Sequence, residues 1–225
     1  MTILKAQIFG GSLIGVYLEA NNSYLLHPPD LIETYRDRFK KVFEIDFYPF
    51  TINNSRLIGV YSKSNYHGII LPSIIREDEL IKLKKYSKER ENSFEIGTLE
   101  CGDNTFGNLI LCNDKGAIIS SLLKDQKKKI EEILGVETVI FDFAGSCLPG
   151  SIGLANNKGC LVHPLATDEE IEYISSILKV ETDVSTINRG LPYLCSGAVV
   201  NDQSGIFGSF STGPEMMRIT NVLQL

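Results

Sequence analysis

Hydrophobic and polar positions form a pattern that is repeated five times along the chain. Each copy begins with a small residue and continues with a short apolar run, a polar turn and a second apolar run. These cores occupy residues 15–26, 59–71, 107–119, 150–162 and 196–207. Successive copies are 44, 48, 43 and 46 residues apart when measured at one shared turn position, namely Tyr24, Gly68, Gly116, Gly159 and Gly205. A repeat of this length predicts an architecture built from similar units.

Each polar turn predicts a β-hairpin. A short polar side chain stands three residues before the shared turn position in every copy, at Asn21, Asn65, Asn113, Asn156 and Asp202. Asn and Asp tolerate the left-handed backbone conformation and Gly adopts it freely, which suits a tight turn between antiparallel strands. The apolar runs on both sides of each turn are therefore predicted to be strands.

An amphipathic helix is predicted after the hairpin. In the fourth copy, Thr167 and Glu170 stand three residues apart and form the signature of a capping box. The apolar residues that follow lie on one face at helical spacing, namely Ile171, Ile174, Ile177 and Leu178. Two other copies repeat the capping relation, with the pairs Asp30 and Glu33, and Thr212 and Glu215. Each unit thus reads strand, turn, strand, helix and a further strand that leads to the next unit.

A unit of this kind cannot bury its apolar helix face alone, so neighbouring units must cover one another. An open stack and a closed ring both satisfy this requirement. The chain has no polar capping repeat at either end, which favours the ring. We therefore predict an α/β fold with a single domain over residues 1–225. The five repeats are predicted at approximately 1–48, 49–96, 97–140, 141–184 and 185–225.

A second polar segment recurs between the helix of one copy and the first strand of the next. It occupies residues 53–55, 101–104, 144–146 and 188–190. In a ring, these corners are expected to share one face. They are predicted to be turns and are candidates for a common docking surface.

Composition and charge narrow the class of partner. The chain is 43% hydrophobic and 22% charged, with a net charge of −6, so it can bury a core and is a poor general binder of nucleic acid. No DNA partner is expected. The lysine-containing segments 82–90 and 124–129 also contain acidic residues and are interpreted as solvated helix faces.

The cysteines and the apolar runs predict a cytoplasmic protein. Five cysteines form no C-x-x-C pair, which suits reduced thiols rather than a disulfide framework. No apolar run approaches the roughly 18 residues of a membrane span, so no membrane partner is expected. The histidines are widely separated and no cysteine stands at ligand spacing, so no metal or cofactor is predicted.

Several motifs, in order over the whole chain, resemble those of the translation initiation factor 6 family. They lie at residues 65–68, at 106–108 with 112–114, at 159–164, and from 186–190 through 198–202. The segment 212–215 and the absence of a long tail after Leu225 resemble the archaeal members. The resemblance implies the pentein architecture, a pseudo-five-fold closed ring of β/α units.

The resemblance also implies a function and a set of contact residues. Family members bind the large ribosomal subunit, mainly its proteins near a ribosomal RNA loop, and keep the small subunit from joining. A monomer without catalytic activity is expected. The matching motif positions give five candidate ribosome-binding residues, namely Asn65, His67, Asn108, Asn188 and Arg189. The chain departs from the family pattern at Val60 and Tyr66, and residues 73–76 lack the family's Thr-rich helix cap.

Two alternative functions stay open. The pentein fold also hosts guanidine-modifying enzymes, and this chain offers candidates for their Cys nucleophile, His base and acidic group, namely Cys160, Cys195, His67, His163 and Asp202. Such chemistry needs a Cys of lowered pKa with a His within hydrogen-bonding reach. The short connections leave no long loops to build a substrate pocket, so we predict a protein that is not an enzyme. The other alternative is a ribosome-assembly module that uses the same surface.

Overall fold

The computed structural model describes residues 2–225 and contains five separate three-stranded sheets. The strands are β1 (Ile3–Ala6), β2 (Glu19–Ala20), β3 (Tyr24–His27), β4 (Asp46–Pro49), β5 (Lys63–Ser64), β6 (Gly68–Pro72), β7 (Glu95–Leu99), β8 (Ile110–Cys112), β9 (Ala117–Ile119), β10 (Thr138–Ile140), β11 (Gly153–Ala155), β12 (Gly159–Val162), β13 (Glu181–Val184), β14 (Ala198–Val200) and β15 (Gly205–Gly208).

The helices fall into a long and a short class. The long helices are α1 (Glu33–Lys40), α3 (Glu77–Lys88), α5 (Lys127–Leu134), α7 (Asp168–Leu178) and α9 (Gly213–Leu223). The short helices are α2 (Ile58–Tyr61), α4 (Phe106–Leu109), α6 (Pro149–Ile152) and α8 (Leu194–Gly197). Two 3₁₀ turns complete the set, at Ile14–Val16 and Ser121–Gln126.

Every sheet has the same topology. A hairpin supplies two antiparallel strands, and a third strand pairs in parallel with the second strand of the hairpin. The fifth sheet takes its third strand from the start of the chain, because β1 pairs with β15 and Ile3 lies opposite Gly205. The predicted α/β class with five repeated sheets is confirmed. The repeat boundaries stay a prediction, although β1, assigned to the first repeat, belongs to the fifth sheet.

The fifth hairpin turn lies one residue earlier than the sequence pattern predicts. Asn201 Oδ1 accepts hydrogen bonds from the backbone N–H groups of Gln203 and Ser204, as Asn156 Oδ1 does from Lys158 and Gly159. The turn Asn is therefore Asn201 rather than Asp202. The shared position is Ser204 rather than Gly205, and the last step becomes 45 residues (204 − 159) instead of 46.

The helix caps agree with the prediction in two of three cases. Thr167 with Glu170, and Thr212 with Glu215, form reciprocal capping boxes on α7 and α9. Asp30 was expected to cap α1, but that helix begins after Ile32 without a side-chain cap. The Asp30 carboxylate instead forms an ion pair with Arg56 of the next unit.

Neighbouring units share each hydrophobic core. Tyr24 and Leu26 of the first hairpin pack in one cluster with Ile69, Leu71 and Leu83 of the second unit. The other four clusters join successive units in the same manner, and one of them joins the fifth unit to the first. The helix of each unit is thus covered by the hairpin of the unit before it.

The short helices meet in cyclic order. The 3₁₀ turn Ile14–Val16 contacts α2, α2 contacts α4, α4 contacts α6, α6 contacts α8, and α8 contacts the 3₁₀ turn. The contacts are close at glycine: a Cβ on Gly59 would lie 2.0 Å from the Gly15 carbonyl oxygen, and a Cβ on Gly107 would lie 1.8 Å from that of Gly59. A Cβ on Gly15 or Gly150 would also lie less than 2.5 Å from a backbone oxygen of the preceding unit in the ring, which explains the glycine at the start of the first four predicted cores.

The sheet register gives the molecule two distinct ends. Each hairpin turn follows the first strand of its sheet, whereas the short helix precedes that strand and the corner follows the third strand. We call the end with the hairpin turns (21–23, 65–67, 113–115, 156–158 and 201–203) the turn end. The opposite end, with the short helices and the corners (8–13, 52–57, 101–105, 143–148 and 187–193), is the corner end.

Candidate docking surface

The turn end is closed by a chain of hydrogen bonds between hairpin turns. The backbone N–H of Tyr66 donates to Asp114 Oδ1 over 2.7 Å, that of Asp114 to Asn157 Oδ1 over 2.9 Å, and that of Asn157 to Asp202 Oδ1 over 2.8 Å. The N–H of Asp202 then donates to Asn22 Oδ1 over 2.9 Å. The first and fifth units are therefore linked directly at this end.

Two carboxylates lie at the centre of this network. The side-chain amide nitrogen of Asn157 donates to Oδ2 of both Asp114 and Asp202, over 2.6 and 2.8 Å. Asn22 Nδ2 donates to the same two oxygens, over 3.4 and 2.7 Å. The amide groups thus hold two like charges close to each other, and the surface they form is polar and acidic.

A small cavity of about 50 Å³ lies between this network and the short helices. Its lining includes Glu19, Lys63, Cys112 and Cys195. Burial raises the pKa of Glu19, whose Oε1 accepts hydrogen bonds from the backbone N–H and the hydroxyl of Ser64. Burial is the largest influence on Lys63 and opposes its charge, but the nearby Glu19, Cys195 and Cys112 together outweigh burial, so the Lys63 pKa is raised. The cavity has room for a few water molecules, far less than a drug-sized ligand needs.

The candidate catalytic residues do not assemble. Burial raises the pKa of the Cys195 thiol, and that of Cys160 to about 12, whereas a nucleophilic Cys needs a lowered value. No His lines the cavity. His163 Nδ1 accepts a hydrogen bond from the Leu165 backbone, and His67 lies outside the cavity at the turn end. Among residues 2–225, no group of three potential metal ligands occurs.

Four of the five corners have a shared backbone geometry at their tips. In these four, consecutive residues of positive φ lie between flanking residues that bridge as in a tight hairpin. Three of these tips have two such residues, namely Phe9 with Gly10, Asn53 with Asn54, and Ala144 with Gly145, and the fifth corner has three, namely Asn188, Arg189 and Gly190. The third corner differs, since Asp103 Oδ1 accepts hydrogen bonds from both the N–H and the hydroxyl of Thr105.

A helix glutamate holds the fifth corner in place. Glu215 accepts hydrogen bonds from the backbone N–H groups of Arg189 and Gly190 and from the Thr186 hydroxyl, while it also caps α9 at Thr212. Burial opposes its ionisation, but these donors outweigh burial and lower the Glu215 pKa to about 2. Glu79 accepts the equivalent bonds from the second corner. The tips of the second and fifth corners are thus positioned by buried carboxylates.

Three of the five predicted site residues lie at the corner end. Arg189 is exposed, with its guanidinium 5.4 Å from the centroid of the Phe210 ring. Asn188 is buried, and its Nδ2 donates to the Ser12 carbonyl over 3.0 Å, which joins the fifth corner to the first. Asn108 is half-buried on α4.

The other two lie at the turn end. Asn65 is only 2% exposed. Its Nδ2 donates to the carbonyls of Asn113 and Leu134, and its Oδ1 accepts from the N–H groups of His67 and Gly68. His67 itself is exposed. One flat partner cannot cover both ends, so the five predicted residues do not form a single surface.

Exposed apolar side chains distinguish the two ends more sharply than the five predicted site residues do. Fourteen large apolar side chains are exposed in residues 2–225, and Tyr66 alone among them is at the turn end. Ten are in the corners or in segments that border the corner end, namely Phe9, Leu13, Ile32, Ile74, Leu122, Ile140, Leu165, Leu191, Tyr193 and Phe210. The sequence analysis does not predict these residues as contact residues. The pattern that could have indicated them is the presence of Phe, Leu and Tyr inside turn segments, where small polar residues are usual.

Comparison with known proteins shows which family this chain belongs to. The family model described as the eIF-6 family matches residues 3–222. Translation initiation factor 6 of Methanococcus vannielii is 36% identical over 99% of both chains. That of Pyrobaculum arsenaticum is 35% identical over 98% of both chains, and that of Staphylothermus marinus is 36% identical over 97% of this chain and 96% of its own. Within residues 2–225, no helix has both the length and the apolarity to span a bilayer. The chain belongs to the eIF-6 family of translation initiation factors.

Proposed function

We propose that this protein docks on the large ribosomal subunit through its corner end and excludes the small subunit by occupying its contact surface. The acting form is a monomer in the cytoplasm, a single domain closed into a pentein ring. No bond is made or broken. Family membership supports ribosome association, and the unequal distribution of exposed apolar side chains between the two ends is the observation that supports the corner end.

The physical basis for choosing the corner end is the free-energy cost of leaving apolar surface exposed to water. Contiguous apolar patches on a soluble protein typically mark interaction sites. Phe9 and Phe210 lie beneath the guanidinium groups of Arg56 and Arg189, and Arg and aromatic side chains are enriched at the energetic centres of interfaces. A stable complex would bury about 800 Å² on each partner.

The charge of the protein favours protein partners over naked RNA. With a net charge of −6, the protein repels phosphate groups, whereas basic ribosomal proteins attract it. The ribosomal RNA near the site would then be a neighbour rather than the main contact.

Catalysis is the less favoured alternative. The cavity is small, its thiols have raised pKa values, and no His lines it. A role in ribosome assembly through the same surface is the other alternative. It differs from subunit exclusion in outcome: an assembly factor would bind the subunit without preventing it from joining its partner.

A matched pair of variants tests which end docks. Asn108→Arg at the corner end places a bulky charge in the proposed interface and is expected to weaken binding to purified large subunits at least tenfold. Tenfold corresponds to about 1.4 kcal/mol. His67→Arg at the turn end is expected to leave binding within twofold. Both residues lie outside the buried core, so both melting temperatures should stay near that of the wild type.

The reverse result would move the docking surface to the turn end, as the family resemblance of Asn65 and His67 suggests. If Asn108→Arg unfolds, the position is structural and its assignment as a contact fails. In that event Arg189→Glu, at an exposed corner tip, tests the same end.

A further inference from the structure

The chain forms the same turn in all five units between the second strand and the long helix. The backbone N–H of the fourth turn residue donates to the carbonyl of the first, over 3.0–3.1 Å in every case. We call these five segments the rim turns; they are residues 28–31, 72–75, 120–123, 163–166 and 208–211. Each lies at the corner end, and because the units contact one another in cyclic order, together they surround the short helices.

The third residue of the rim turn is large, apolar and exposed in four of the five units. These residues are Ile74, Leu122, Leu165 and Phe210, with exposed fractions of 39, 57, 73 and 50%. The first unit has Asp30 at this position. Turns usually place Gly, Asn, Asp or Ser at their central positions, so turn formation does not explain these four side chains.

Packing into the hydrophobic core does not explain these four exposed side chains either. In four rim turns the next residue enters a hydrophobic cluster, namely Leu31, Ile75, Leu123 and Ala166. None of the exposed third residues belongs to any of the five clusters. In the second, third and fourth units, an exposed apolar side chain therefore stands next to a residue that enters the core, and in the fifth unit Phe210 precedes the buried polar Ser211.

We propose that Ile74, Leu122, Leu165 and Phe210 are docking anchors that bury themselves in an apolar surface of a large-subunit protein. This inference rests on the proposed docking of the corner end and extends it from the centre of that end to its rim. The charges around the anchors favour a protein over RNA. Asp142 accepts hydrogen bonds from Ser121 next to Leu122, and Arg56 is already paired with Asp30. Two cations are also near the anchors, Arg189 over the Phe210 ring and Lys124 two residues after Leu122. The net charge of −6 nevertheless disfavours phosphate as the main contact.

Serine substitutions with matched controls test the anchors. Leu122→Ser and Leu165→Ser remove two anchors from different units. Ile81→Ser on α3 and Met217→Ser on α9 remove equally exposed apolar side chains from the long helices, away from the rim turns. Affinity is measured by co-sedimentation of each variant with purified large subunits, and folding is checked by thermal denaturation. All four side chains are exposed, so all four melting temperatures should match the wild type.

We expect each rim variant to raise the dissociation constant about tenfold, as loss of a buried Leu side chain does. The double variant should raise it about a hundredfold, because the two sites lie in different units and their effects should add. The controls should stay within twofold. Protein-free ribosomal RNA of the same subunit should bind the wild type far more weakly than the intact subunit.

The outcomes separate the two proposals. If the wild type binds and Asn108→Arg weakens it, but the rim variants bind like the controls, the anchors are overturned and corner-end docking stands. If the wild type does not bind the large subunit, docking and anchors fall together. Equal affinity for protein-free RNA, unaffected by the rim variants, would replace the protein partner with RNA.

Discussion

At the scale of single residues, the hairpin asparagines show how one side chain can join two neighbouring units. Asn65 belongs to the second unit, and its Nδ2 bonds to Asn113 and Leu134 of the third. Asn113 and Asn156 repeat this pattern toward the helices of the fourth and fifth units. The sequence identified these residues as turn formers, but their bonds to the next unit connect positions more than 40 residues apart and leave no local pattern.

Substitution of Asn65 therefore tests its structural role. Asn65→Ala leaves two buried carbonyls and two backbone N–H groups without their partner and should lower the free energy of unfolding by about 2–4 kcal/mol. Chemical denaturation measures this loss. Asn92→Ala, at an exposed position, should change it by less than about 0.5 kcal/mol. Unchanged stability together with lost subunit binding would instead support a direct contact by the Asn65 side chain.

Glu215 predicts a dependence of stability on pH. Its folded pKa of about 2 lies below the ordinary value of 4.5, so its contribution to stability is present above pH 4.5 and is lost as the pH falls toward 2. Glu215→Gln, which resembles the protonated form, should be less stable than the wild type at pH 6. The difference in unfolding free energy should shrink on acidification through this window. A difference that stays constant from pH 6 to pH 2 would contradict the assignment.

At the scale of elements, the short helices govern how closely the units approach. The sequence does not predict these helices. In the cores that begin at residues 15, 59, 107 and 150, it predicts a strand from the first apolar residue onward. A helix of one turn has too few residues for its apolar period to be seen. The hairpins and two capping boxes were predicted because their signals lie within four residues. Pairing of β1 with β15 links the two ends of the sequence and has no local signal.

The register error in the fifth hairpin has a similar cause. Asn201 and Asp202 both suit a turn, and Gly205 matched the glycine found in three other copies. Only the hydrogen bonds to Gln203 and Ser204 decide between them.

The candidate site residues could not be grouped into a surface from the sequence. Their exposure and their position along the sheet determine which of them can share a surface, and neither property is visible in a motif.

Gly59→Ala tests the packing of the short helices. The added Cβ would lie 2.0 Å from the Gly15 carbonyl oxygen and 2.4 Å from that of Leu18, both backbone atoms of the adjacent unit. We expect a loss of about 3 kcal/mol in the free energy of unfolding, at the upper end of usual overpacking costs. Gly102→Ala, where a Cβ meets no atom within 4 Å, is the control. Equal stability of the two variants would refute close contact between the short helices.

At the scale of the whole molecule, the five units produce two unlike ends. The turn end is closed by a network of amides and carboxylates, whereas the corner end presents apolar side chains around rigid corner tips. Quasi-symmetry makes both ends broad, and broad surfaces suit steric exclusion better than chemistry in a small cavity. The proposed function therefore requires one end of the molecule to cover a ribosomal contact surface.

A subunit-joining assay tests the proposed exclusion of the small subunit. Purified large subunits are saturated with the protein, mixed with small subunits and separated on a sucrose gradient. Exclusion predicts that the wild type co-sediments with large subunits and that joined ribosomes are lost, while Asn108→Arg allows joining at the same concentration. Undiminished joining with wild-type protein bound to every large subunit would contradict it.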